Sequence, residues 1–119
     1  MMAAGGVAGI YGLGLPMVEM AIALSVIILG AVVAFNWKAP VATAMALAGF
    51  FAIFHGHAHG LEIPMATSGI SYAAGFMVAT ATLHAFGIGM AQLPVSRRLA
   101  QVSGGAMALA GVGLLSGVL

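Results

Sequence analysis

The segment Phe54-His55-Gly56-His57-Ala58-His59-Gly60-Leu61-Glu62 concentrates the chemistry of this chain. It holds three of the four histidines and one of the two acidic residues, and it closes an apolar run that begins at Val41. Ionisable groups at membrane depth are costly and persist mainly where they do something. Imidazole and carboxylate together are ligands for a divalent transition metal. On a helix turning about 100° per residue, His59 lies about 40° from His55, and Glu62 about 20° to the other side. The three share a stripe about 10 Å long, too long for one ion to touch both ends. His55 and His59 form the pair that can grip one ion, while His57 points the opposite way. A break at Gly56 or Gly60 would change this, because an unwound turn could gather all three imidazoles.

Beyond the segment, Glu19 and His84 are the remaining candidates, with Ser25, Thr80 and Thr82 able to line a path. The expected ladder runs from Glu19, Glu62 and His59 at one mouth, through His55, to His84 below. Blander readings stand beside it. A lone intramembrane histidine such as His84 can simply hydrogen-bond across helices. Glu19 can serve its own helix start, where a carboxylate is stabilised. The chain has no cysteine, so disulfides and thiolate metal sites are excluded and copper(I) is disfavoured, although nine methionines keep it open. Imidazole with carboxylate suits nickel, cobalt or zinc.

The elements that must position these groups are membrane helices. Of 119 residues, 63% are hydrophobic and 4% charged, against about 25% charged in a soluble domain. A water-exposed surface cannot be built from so few charges, and the net charge of +1 excludes a nucleic-acid footprint. A membrane helix needs about 20 mostly apolar residues. Four spans are expected, at 16–35, 41–60, 70–92 and 99–119. Pro16, Pro40, Pro64 and Pro94 fall at or between their ends. Residues 1–15 are too short to span and carry Gly5-xxx-Gly9, a close-packing pattern; they read as the tail of a helix. No positively charged leader precedes them, so no removable targeting segment is read. The fold class is therefore all-α: a polytopic helix bundle of four transmembrane helices plus a partial N-terminal one, in a single membrane domain. Strands are disfavoured, since Val41–Phe54 does not alternate as a membrane barrel requires.

In such a hairpin bundle, Lys38 in one connection and Arg97 and Arg98 in another share one side. The positive-inside rule makes that side cytoplasmic, and the histidine segment then faces outward. Ala81-xxx-Ala85-xxx-Gly89 and Gly113-xxx-Gly117 would let helices approach closely, which suits a compact bundle able to oligomerise.

The histidine segment, followed by Ile63-Pro64, resembles the second signature of the HupE/UreJ family, bacterial inner-membrane permeases associated with nickel or cobalt supply to hydrogenase and urease. Gly12-Leu13-Gly14-Leu15-Pro16, Glu19 and Ser25 resemble the span before that signature, and the likeness continues through His84 to the C-terminus. The resemblance implies that His55, His59 and Glu62 matter for metal passage and that His57 occupies a variable place. One departure is plain. The family's first signature, a His-Pro with a downstream Asp-His pair, has no match: the chain has no aspartate and no histidine before His55. The family also has more spans, so the chain reads as the C-terminal part of a longer architecture or as a short form needing a partner.

The leading expectation is a divalent-metal permease, with nickel or cobalt as transported substrate and no permanently bound cofactor. Its partners would be the metal ion and the bilayer, with no nucleic acid. A Walker phosphate loop and a His-Glu-x-x-His protease motif are both absent, so neither direct ATP use nor an enzyme is expected. The alternative is an accessory membrane protein that binds metal without transporting it.

Overall fold

The computed structural model describes residues 1–64, 66–94 and 96–119. Among them the fold is an all-α membrane helix bundle of five helices with no strand: α1 (Met2–Ile10), α2 (Val18–Ala34), α3 (Val41–Leu61), α4 (Gly69–Gln92) and α5 (Arg97–Leu115). Helices α3, α4 and α5 are long and apolar enough to cross a membrane, and α2 is a shorter apolar helix of 17 residues. That length sits at the lower end of the range of about 17–25 residues that can span. Outward-facing Leu, Ile, Val, Met and Phe side chains along these helices meet lipid rather than water.

Helix ends follow local chemistry. All four prolines lie outside the helices, where the missing N–H and fixed φ do no harm. Ser96 caps α5 by accepting a hydrogen bond from the Leu99 amide at 3.2 Å. Helices α1, α2 and α5 each close with a left-handed residue just past the cap: Gly12 at φ 67°, Asn36 at φ 50° and Gly117 at φ 72°. In each, two amides fold back on the last turn. Leu13 bonds Ala8 at 2.9 Å, Trp37 bonds Val32 at 3.0 Å and Val118 bonds Gly113 at 3.0 Å. These are Schellman turns, which use glycine or asparagine because other residues resist positive φ.

Backbone contact between glycines joins the helices in pairs. On α1 and α3, a Cβ on Gly5 would strike the Ile53 carbonyl, and one on Gly9 the His57 carbonyl. In return, Gly56 faces the Met2 carbonyl and Gly60 the Gly6 carbonyl. The rising register shows that α1 runs parallel to the end of α3. On α2 and α5, Gly30 packs on Gly104 and Ala108, and Gly111 on Ile27 and Ala23, so this pair is antiparallel. Gln101 on α5 donates to the Ala34 carbonyl at 3.1 Å, satisfying an acceptor at the end of α2.

Two packing expectations are corrected here. Gly113-xxx-Gly117 is not a helix–helix seam: Gly117 lies in the closing turn and Gly113 faces only Leu119 of the same tail. Nor do Ala81, Ala85 and Gly89 pack within the chain, since α4 has no buried residue. The α2–α5 seam instead runs through Gly30-xxx-Ala34 of α2 and Gly104-xxx-Ala108 of α5, with Gly111 packed on Ala23 and Ile27.

Candidate functional site

Helix α3 continues unbroken through Leu61. Gly56 and Gly60 are therefore close-approach residues for α1 and do not unwind the turn, so His57 stays on a different face from His55 and His59. The α1-facing side carries Ile53, Gly56, His57 and Gly60. The other side presents His55 and His59, one turn apart, with ring centroids 5.7 Å apart.

Helix α4 sets a stripe at four-residue spacing beside the pair, Tyr72, Phe76, Thr80 and His84, with Tyr72 and Phe76 touching His59. The Phe76 ring lies 4.8 Å from that of His59. The Tyr72 hydroxyl sits 3.4 Å from His59 Nδ1, where it donates when that nitrogen carries no proton. Thr80 donates to the Met2 sulfur at 3.6 Å. His84 Nδ1–H donates to the Thr80 carbonyl at 2.8 Å. That bond fixes the tautomer and leaves Nε2 with a free lone pair, the state a metal ligand requires. His55, His59, Thr80, His84, Phe76 and Met2 line one cavity of about 290 Å³. An apolar hollow of about 160 Å³ adjoins it at His59 and reaches Tyr72 and Ile63 near the end of α3.

His57 is set apart. It is 1% exposed, and its Nε2–H donates to the Leu13 carbonyl at 2.5 Å. Leu13 is the residue that the Schellman turn of α1 delivers to this point. The other ring nitrogen, Nδ1, is buried without a partner. His57 thus ties the α1–α2 connection to α3 and does not line the cavity. His57→Ala should lower stability by about 2–4 kcal/mol, because it empties buried volume and strands the Leu13 carbonyl. Thermal unfolding in detergent measures this; an unchanged midpoint would mean that the latch contributes nothing.

The carboxylates are not drawn in. Glu62 is the exposed C-cap of α3. Glu19, exposed in the first turn of α2, borders a hollow with Leu114, Leu115 and Leu119 on the α5 side, away from every histidine. Ser25 is buried and donates to Ile22 of its own helix at 2.6 Å. Thr82 donates to Val78 and is exposed. Among the described residues no group of three or more His, Cys, Asp or Glu is close enough to hold a metal ion together. The assembled set is the His55–His59 pair, with His84 on the same cavity. Tyr72 and Phe76 escaped the reading of the sequence, although their four-residue spacing with Thr80 and His84 was there to be seen.

Comparison with known proteins gives a consistent result. The family model described as HupE / UreJ protein matches residues 1–114. Protein HupE of Rhizobium leguminosarum bv. viciae is 51% identical over 119 residues, covering 98% of this chain and 62% of its own length. The chain thus spans about three-fifths of that relative. No solved structure matches.

Proposed function

The chain belongs to the HupE/UreJ family, and from that premise we propose that it passes a divalent transition-metal ion, nickel or cobalt, across a bacterial inner membrane. The observation that carries this reading is the single cavity that His55 and His59 of α3 and His84 of α4 line between two apolar helices. Imidazole suits both metals. A pair of nitrogens, with the remaining positions filled by water, holds an ion loosely enough to release it, as conduction through a site requires. His84, with Nε2 free, offers the next stop on α4. Tyr72 and Phe76 keep the His59 ring in place, and Glu62 at the mouth attracts cations by its charge. The positive-inside rule supports a cytoplasmic position for the end that carries Lys38, Arg97 and Arg98, and on this reading the His59 mouth faces outward.

A second reading has its own support: no three-ligand group forms among the described residues, and the chain spans 62% of its relative. On that reading it binds metal for hydrogenase or urease maturation without passing it. Nickel-63 flux into liposomes holding the purified chain separates the two. Flux above empty liposomes supports the permease, whereas binding without flux supports the accessory role.

Imidazole must be neutral to ligate. Uptake should therefore fall as the external pH is lowered and imidazole takes up its proton. A pH series of initial nickel-63 uptake rates checks this, and rates held steady down to about pH 5 would exclude ligation by histidine.

A further inference from the structure

A separate hollow opens at the opposite end of the bundle from Glu62. Its volume is about 870 Å³, and its walls include Ile27, Ile28 and Val32 of α2, with Trp37, Lys38 and Arg97 at the mouth. The fold puts these residues together. The Schellman turn at Asn36 closes α2 and sends Trp37 and Lys38 just beyond its end. Gln101, bonded to the Ala34 carbonyl, brings the first turn of α5 alongside, and Arg97 with it. Two cations from distant parts of the sequence thus border one hollow.

Neither acidic side chain of this sequence lies near enough to neutralise them. The chain's two acidic residues are Glu19 and Glu62, which stand at the start of α2 and the end of α3, at the other end of the bundle. Like charges brought together without a counter-charge favour an anion between them. Below the cations the wall is aliphatic and follows α2 into the membrane. Trp37 is 58% exposed at the rim, and exposed tryptophan marks the headgroup level of a bilayer. A free phosphate would use the cations and leave the aliphatic wall idle. A phospholipid with an anionic headgroup uses both, and basic pockets between membrane helices bind such headgroups.

We propose that this hollow is a binding site for an anionic phospholipid, whose phosphate lies between Lys38 and Arg97 and whose acyl chain runs along Ile27, Ile28 and Val32. The site is remote from the histidine cavity and does not depend on metal passage.

The test uses the purified full chain in detergent, titrated with phosphatidylglycerol or phosphatidylcholine of matched acyl chains and read by native mass spectrometry. Phosphatidylglycerol should bind more tightly than phosphatidylcholine. The double variant Lys38→Gln/Arg97→Gln should weaken phosphatidylglycerol binding about thirtyfold, from about fivefold for each basic residue. The charge-preserving double variant Lys38→Arg/Arg97→Lys should keep the parental affinity, which guards against a loss that merely reflects misfolding. Equal binding of the two lipids, or phosphatidylglycerol binding unmoved by the double Gln variant, would overturn the proposal. Displacement of phosphatidylglycerol by inorganic phosphate at equal concentration would also overturn it, in favour of a free-anion site.

Discussion

Cells expressing His59→Ala should take up nickel-63 at least about tenfold more slowly than cells expressing the parent chain at the same membrane level. The factor is a lower bound, because disturbing even an outer partner of a metal ligand typically costs 10–100-fold, by order of magnitude. His59 and His55 are one turn apart with ring centroids separated by 5.7 Å. Removing either leaves a single α3 imidazole on the cavity, which cannot chelate. His55→Ala should therefore resemble His59→Ala, and the double variant should be little worse than either single one, since residues acting as a unit are not additive. His84→Ala should behave differently. It leaves the pair intact and removes the next ligand, so nickel binding to purified protein should survive while uptake slows. Thr82→Val is the matched control, because Thr82 bonds only Val78 on its own helix. Parental uptake by both His55→Ala and His59→Ala would remove the pair from any pathway and sink the functional reading at its centre.

Gly56→Ala should be among the most damaging single-methyl changes in the chain. A Cβ at Gly56 would collide with the Met2 carbonyl and crowd the Gly6 amide. Both are backbone groups within a helix and cannot swing aside. Overpacking of this kind typically costs about 1–3 kcal/mol, and α1 would have to lift away from α3. Metal chemistry should suffer as well, because Met2 lines the cavity beside His55 and His59. The measurement is the unfolding midpoint in detergent of Gly56→Ala beside Gly75→Ala and Gly87→Ala. Those two α4 glycines have open space where a Cβ would stand, and alanine favours a helix over glycine by about 1 kcal/mol, so they should be neutral or slightly stabilised. A Gly56→Ala midpoint matching theirs would show that the glycine interlock does not hold α1 in place.

The same glycines show how far sequence reading reached. Gly5-xxx-Gly9 was legible as a close-packing motif, but its partner was not. Gly56 and Gly60 lie among histidines, where a glycine reads equally well as a helix break. Nothing local separates a glycine that bends a helix from one that admits a neighbour, since both are marked only by a missing Cβ. His57 was legible as the histidine on the far face. That it grips the Leu13 carbonyl depends on where α1 ends, 44 residues away. For Glu19 the topology gave a height and no facing: it stands at the same end of the bundle as Glu62, and lateral packing set it beside α5.

By itself the sequence determined what the solvent demands. Sixty-three per cent hydrophobic residues with 4% charge leave only a membrane bundle, and the prolines mark the breaks in it. The spacing of His55 and His59 makes them neighbours on any unbroken helix, because helix geometry is local. The tertiary structure alone decided which helix faces which. Apolar surfaces are nearly interchangeable in lipid, so hydrophobicity cannot choose helix partners there, and the choice falls to steric fit between backbones. Only that fit seals His57 under α1 and brings Arg97 to Lys38, while side-chain contacts of Tyr72 and Phe76 with His59 set the α4 stripe beside the histidine pair.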